Sequence, residues 1–157
     1  MKKSSLMLGC LALIFLACKK DEKPTEDRKV SYTYGKYKET DAIVTAERNG
    51  EYLSISLGSA LTQNNGGIVI QIENYKGIGV YPFSEKVIVR ADQDNQEGYW
   101  EHFYYDNSGK VYAAGEINIK TLSDDKIVAS VNGKLYHLTG QLEIINTELK
   151  ASLDSYL

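Results

Sequence analysis

The stretch Ala42-Ile43-Val44-Thr45-Ala46-Glu47-Arg48-Asn49-Gly50-Glu51-Tyr52-Leu53-Ser54-Ile55-Ser56-Leu57 decides the fold class. Two apolar-rich runs, 42–46 and 52–57, flank Asn49-Gly50. In the second run Leu53, Ile55 and Leu57 share one face and Ser54 and Ser56 the other, which is the period of a half-buried strand. Asn-Gly between such runs is the strongest short hairpin cue, because a type I′ turn needs positive φ at both central residues. The segment is expected to be an antiparallel hairpin.

The same grammar extends outward in both directions. Upstream, Val30-Ser31-Tyr32-Thr33-Tyr34 reads as a strand. Downstream, the loop Asn64-Asn65-Gly66-Gly67 leads into Ile68-Val69-Ile70-Gln71-Ile72. The run 77–83 is short and carries Pro82, so it reads as an edge or a bend. Strands are also expected at 86–91 and, after the polar loop 92–98, at 99–105. Asp106-Asn107-Ser108-Gly109 turns the chain into 111–122, and Ser123-Asp124-Asp125 turns it into 126–131. Asn132-Gly133 is a second hairpin cue, before 134–138. In the tail, Leu149, Ala151 and Leu153 alternate with polar residues, which favours a strand, although Leu142, Ile145 and Leu149 also fit helical spacing. The 12 Tyr, 13 Gly and 2 Pro suit strands and tight turns. Short runs at roughly 8–12-residue spacing predict an all-β, antiparallel β-sandwich of about nine or ten strands, with a closed calycin-like β-barrel as the alternative.

The N-terminus has a different character. Lys2 and Lys3 precede an apolar core from Leu6 to Leu16, which Ala17 and Cys18 follow. An apolar core of this length suits a signal peptide, whereas a membrane-spanning helix needs roughly 20 residues. The ending Phe15-Leu16-Ala17-Cys18 resembles the lipobox of bacterial lipoproteins, with Ala17 and Cys18 as its matching positions. That resemblance implies a diacylglycerol on the Cys18 sulfur, cleavage before Cys18, and an acyl chain such as palmitate on the new amino group. Cys10 would leave with the leader, so the mature domain would hold no free thiol or disulfide, a safe state in an oxidising compartment. Lys20-Asp21-Glu22 resembles the Lys-acidic-acidic export tag of some Gram-negative surface lipoproteins. It implies an outer-membrane location facing the cell surface, with the periplasmic face as the alternative. The expected organisation is a signal peptide at 1–17, a tether at 18–29 and one all-β domain at 30–157. The tether has no large apolar residue after Cys18, and as a coil it would span about 20 Å.

The C-terminal two-thirds resembles a family of uncharacterised small lipoprotein β-domains of unknown function. The matching pieces are Gly79-Val80-Tyr81, the aromatic run 99–105, Gly115-Glu116-Ile117-Asn118-Ile119 with Leu122-Ser123-Asp124-Asp125, and the region 126–136. These motifs describe strands and turns, so the resemblance implies a fold and no catalytic residue.

A net charge of −3, more negative once Lys2 and Lys3 are cleaved off, does not favour a nucleic-acid partner. No phosphate loop, zinc-protease motif or nucleophile elbow is present. His102 and His137 are the only histidines, and nothing in the sequence brings them together. Asp92-x-Asp94-Asn95-x-Glu97 is oxygen-rich but departs from the calcium-loop pattern and reads as a solvated loop. No enzyme, cofactor or metal site is therefore expected. The most informative local feature is the aromatic strand. Tyr99, Phe103 and Tyr105 are expected on one face, and Trp100, His102 and Tyr104 on the other. If the second face is open, Trp100 and Tyr104, with His102 between them, form a platform for a glycan or protein partner. The expected function is a lipid-anchored, non-enzymatic envelope protein with a binding or scaffolding domain. A carbohydrate-binding module and a β-barrel carrier of small apolar ligands are the alternatives.

Overall fold

The structure, a computed structural model, describes residues 29–59, 67–92, 99–138 and 145–157. The leader, Cys18, most of the tether and most of the polar loops 64–67 and 92–98 lie outside the described residues. The structure is all-β: strands make up 76% of the described residues, with no helix among them. In chain order they are β1 (Ser31–Tyr34), β2 (Tyr37–Glu39), β3 (Ala42–Asn49), β4 (Tyr52–Ser59), β5 (Ile68–Glu73), β6 (Gly79–Pro82) and β7 (Val87–Asp92). There follow β8 (Tyr99–Glu101), β9 (Phe103–Asp106), β10 (Gly109–Tyr112), β11 (Gly115–Leu122), β12 (Lys126–Leu138) and β13 (Ile145–Tyr156).

Eleven strands form one sheet that nearly closes into a barrel, and β9 and β10 form a second, two-stranded sheet. The all-β antiparallel class is as expected. The arrangement is one continuous curved sheet rather than two separate facing ones. Its eleven strands fall on eight lines: β1, β2 with β3, β4, β5, β6 with β7, β8 with β11, β12, and β13. Three lines are interrupted, so eight lines hold eleven strands, and the β9–β10 hairpin brings the total to thirteen where nine or ten were expected.

The first interruption brings the two ends of the sheet together. After β2 pairs with β1, the chain bends at Thr40-Asp41 and continues as β3 against β4. Glu39 Oε1 caps the bend, accepting from the amides of Thr40 (3.0 Å) and Asp41 (3.3 Å). Ala42 N then donates to Val30 O at 3.0 Å, joining the two ends of the sheet.

Alternation fills the interior. Leu53, Ile55 and Leu57 of β4 and Ile68, Ile70 and Ile72 of β5 are at most 2% exposed. They meet Val89, Ile117, Ile119, Ile127, Val131, Leu149 and Leu153 from the other lines in one cluster. Fully burying a side chain of this size contributes about 1.5–3 kcal/mol, so this cluster is the main favourable term in the fold.

Two hairpin cues resolve differently. The Asn49-Gly50 cue marks a true hairpin, one residue out of the expected register. Asn49 pairs with Tyr52, so Gly50, at φ 60°, takes the first central position and Glu51 the second. Positive φ at the first position alone is the type II′ requirement. The Asn132-Gly133 cue marks no turn: β12 runs unbroken from Lys126 to Leu138. Gly133 is there for space. It pairs with Gly115 across the ladder, and the Phe83 ring lies over both glycines. A Cβ on Gly133 would sit 2.5 Å from the Phe83 ring.

This contact makes a testable prediction. Gly133→Ala should destabilise the domain by about 1–3 kcal/mol through overpacking. Adding Phe83→Leu should recover much of that loss, as read by denaturant midpoints of the single and double variants. Additive losses would disprove the contact.

Candidate functional site

The second interrupted line creates the candidate site. Both β8 and β11 run antiparallel along the same edge of β12. β8 ends with Glu101 opposite Tyr136, and β11 starts with Gly115 opposite Gly133. They are one line along β12, and the residues between them loop out as the β9–β10 hairpin. A hydrogen bond from Ala113 N to His102 O, at 2.7 Å, closes the base of the excursion. The neighbouring line is interrupted at the same level, where 83–86 jogs between β6 and β7. Phe83 N donates to Gly115 O at 2.9 Å there.

His102 occupies the root of the hairpin and is 1% exposed. Its backbone N donates to Val89 O at 3.1 Å, extending the β7–β8 ladder by one rung. Its side chain supplies the next rung, with Val89 N donating to Nδ1 at 3.3 Å. Nε2 lies 3.0 Å from Ser84 O. An Nδ1 that accepts fixes the neutral tautomer with the proton on Nε2, which then donates to Ser84 O. The rings of Phe83, Phe103 and Tyr112 pack around the imidazole at centroid distances of 5.3–6.0 Å.

Glu101 lies beside it and is also 1% exposed. Its Oε1 accepts from Arg90 Nε at 2.8 Å and lies 2.7 Å from the Arg90 terminal nitrogen Nη2. Its Oε2 is buried without a hydrogen bond, 3.5 Å from His102 Nδ1. Burial pushes the Glu101 carboxyl up, but the hydrogen bond and charge that His102 supplies when its Nδ1 is protonated, with the Arg90 contacts, outweigh it and hold the group below its ordinary value.

The expected sharing of faces along 99–105 is corrected. The strand breaks at His102, because the imidazole takes a ladder position and the chain leaves the large sheet there. Trp100 points into the core, 7% exposed, with His137 at 5.0 Å between ring centroids. His102 is enclosed at the hairpin root. Tyr104 is half-buried against Tyr136, with ring centroids 4.6 Å apart. The three residues therefore form no common open platform.

What the fold presents instead is the other face of the hairpin. Tyr105, 67% exposed, pairs across the ladder with Lys110, and Phe103 with Tyr112. Phe103 and Tyr105 meet edge to face at 5.6 Å. The Lys110 ammonium lies 3.7 Å from the Phe103 centroid and 5.3 Å from that of Tyr112. The Asp106 carboxylate, which accepts from the amide and hydroxyl of Ser108 at 2.7 and 2.6 Å, holds the tip. Lys110 and Tyr112 were not singled out in the sequence, yet a two-residue turn at Asn107-Ser108 would have paired them with Tyr105 and Phe103.

Chemically, this arrangement offers contact. Glu101 and His102 are adjacent but enclosed, and each is tied to structural partners. The hairpin face offers flat rings and a cation, which suit stacking and cation–π contacts. A cleft of about 240 Å³ lies elsewhere, between β3 and the β11–β12 turn, lined by Ala46, Arg48, Leu53, Leu122, Asp124 and Leu157 among others.

The lowered Glu101 carboxyl has a definite pH signature. Its stabilising contribution is complete above the ordinary carboxyl value of 4.5 and is lost as pH falls through the lower folded value. Glu101→Gln should cost about 1.5–3 kcal/mol at pH 7, the scale of hydrogen bonds to a charged group. Thermal melts from pH 7 down to pH 3 should show wild type converging on the variant below pH 4.5; a constant gap would disprove the assignment. Comparison of the chain with protein-family models, curated proteins and solved structures finds no match, so the family resemblance rests on the sequence motifs alone.

Proposed function

We propose that this is a lipid-anchored, non-enzymatic cell-envelope protein whose β-domain is a binding module with the β9–β10 hairpin as its contact face. The anchor reading rests on Cys18 after an apolar leader. Lys29 is tied to the sheet, its backbone exchanging hydrogen bonds of 3.0 and 3.2 Å with Asp154. In the sequence ten residues, 19–28, lie between Cys18 and Lys29. The proposed location is the outer membrane, facing the cell surface.

One observation carries the binding reading. The hairpin is looped out of an otherwise continuous line of the barrel, and its free face shows Tyr105, Phe103, Tyr112 and Lys110. A scaffold that takes its chain off the barrel line between His102 and Ala114 to display rings outside the core is built for contact. The carrier alternative has less support, because the inward side chains of the described strands meet in one packed cluster. A glycan remains a fitting occupant for flat rings, on Tyr105 rather than on the buried Trp100.

Two experiments test this. Cys18→Ser should abolish diacylglyceryl labelling and release the protein from the membrane fraction, while the wild-type thiol should be absent by mass spectrometry. An unmodified thiol at Cys18 would refute the anchor. Proteinase treatment of intact cells should remove the domain if it faces outward. For the contact face, Tyr105→Ser should leave the melting temperature within about 2 °C, as an exposed substitution should. The same change should weaken partner or glycan-array binding at least tenfold; unchanged binding would move the site elsewhere.

A further inference from the structure

The buried pair at the hairpin root holds a conflict that a proton resolves. His102 Nδ1 accepts from Val89 N at 3.3 Å, and Glu101 Oε2 lies 3.5 Å from the same nitrogen with no donor of its own. Two acceptors thus face each other in an enclosed site, an unfavourable arrangement at low local dielectric. We propose that His102 is a proton-operated latch for the β9–β10 hairpin, switching its Nδ1 between accepting from Val89 and donating to Glu101. The inference rests on the reading of that hairpin as the contact face, whose regulation it would supply.

The exchange is balanced. Neutral imidazole donates Nε2–H to Ser84 O and accepts Val89 N–H at Nδ1. When a solvent proton binds Nδ1, that nitrogen has no lone pair for Val89, and the ring shifts so that its N–H⁺ donates to the unpaired Oε2 of Glu101. One backbone rung of β7 is lost and one charge-assisted hydrogen bond is gained. Closing from 3.5 Å to hydrogen-bond distance moves the ring by a few tenths of an ångström or more.

Every element packed on the imidazole takes part. β8 supplies Glu101, and β7 supplies Val89 and Arg90, whose cation already holds the other Glu101 oxygen. The 83–86 jog supplies the Ser84 carbonyl and the Phe83 ring. From the hairpin come Phe103, Tyr112 and, over both rings, the Lys110 ammonium. Two of the rings that move with the imidazole, Phe103 and Tyr112, also line the exposed face, so protonation at the root reaches the surface through direct ring contact. Histidine is the side chain suited to such a switch between pH 5 and 8.

The test is an NMR titration of the detergent-solubilised full chain from pH 8 to pH 5. The His102 imidazole and the Val89 amide should titrate with one midpoint, and the Phe103 and Tyr112 ring signals should move with them. Exchange of the Val89 amide, relative to its intrinsic rate, should speed up about tenfold on the acid side, the scale of one hydrogen bond. His102→Gln, whose carboxamide can accept from Val89 and donate to Ser84 without titrating, should show a flat response. If that variant does not fold, the wild-type titration decides alone. A Val89 amide that stays fixed while the imidazole titrates overturns the latch, as does an imidazole still neutral at pH 5. Neither readout uses a binding partner, so failure of the latch is distinguishable from failure of the contact-face reading, which Tyr105→Ser tests.

Discussion

The ladder between β12 and β13 is the constraint on which the rest depends. It runs from Lys126 opposite Tyr156 to His137 opposite Ile145 without a register shift. A strand of thirteen residues offers its other edge to more than one short neighbour, and two share it. β11 takes the part up to Gly133, and β8 takes the part from Tyr136 upward. Backbone groups buried at the junction need partners, and they find them locally: Lys134 N donates to Ala114 O at 3.1 Å. The fork in the sheet is therefore a consequence of one long straight edge.

From the fork follows everything unusual in the molecule. Because β8 and β11 lie on one line, the chain between them must leave the barrel and return. Its exit is sealed by His102, which pairs by backbone on one rung and by side chain on the next. The adjoining line jogs at the same level, and the Phe83 ring drops onto Gly115 and Gly133, where no side chain competes for the space. Glu101 is caught in this junction with one oxygen on Arg90 and the other unpaired. Junctions of this kind concentrate enclosed polar groups, because interrupted ladders leave backbone donors and acceptors that side chains must serve.

Much of this was legible. The strands of the core follow from period-two alternation, and even the long β12 was written in it: Ile127, Ala129, Val131, Gly133 and Leu135 stay in phase across the Asn132-Gly133 pair. The turn cue at that pair misled because glycine has two uses, positive φ and close approach, and a dipeptide does not say which. The Phe83 ring, fifty residues away in sequence, settles it. The run Tyr99 to Tyr105 misled for a similar reason. Its alternation is unbroken in sequence, but His102 has a ring able to take a backbone partner, and the chain departs where that partner is found.

The sequence by itself determined the all-β class, the inward faces of the strands, the hairpin at Asn49-Gly50 and the expectation of a lipid-bearing Cys18, because each depends on local period, turn chemistry or a contiguous motif. Tertiary structure alone decided that one sheet curls until it nearly closes, that β8 and β11 share a line, and that Glu101 and His102 meet beneath an aromatic hairpin. Those features depend on which edge of β12 each strand finds. Ladder pairing is made between backbone groups that every residue carries, so side-chain pattern says which face is buried and not which neighbour is chosen.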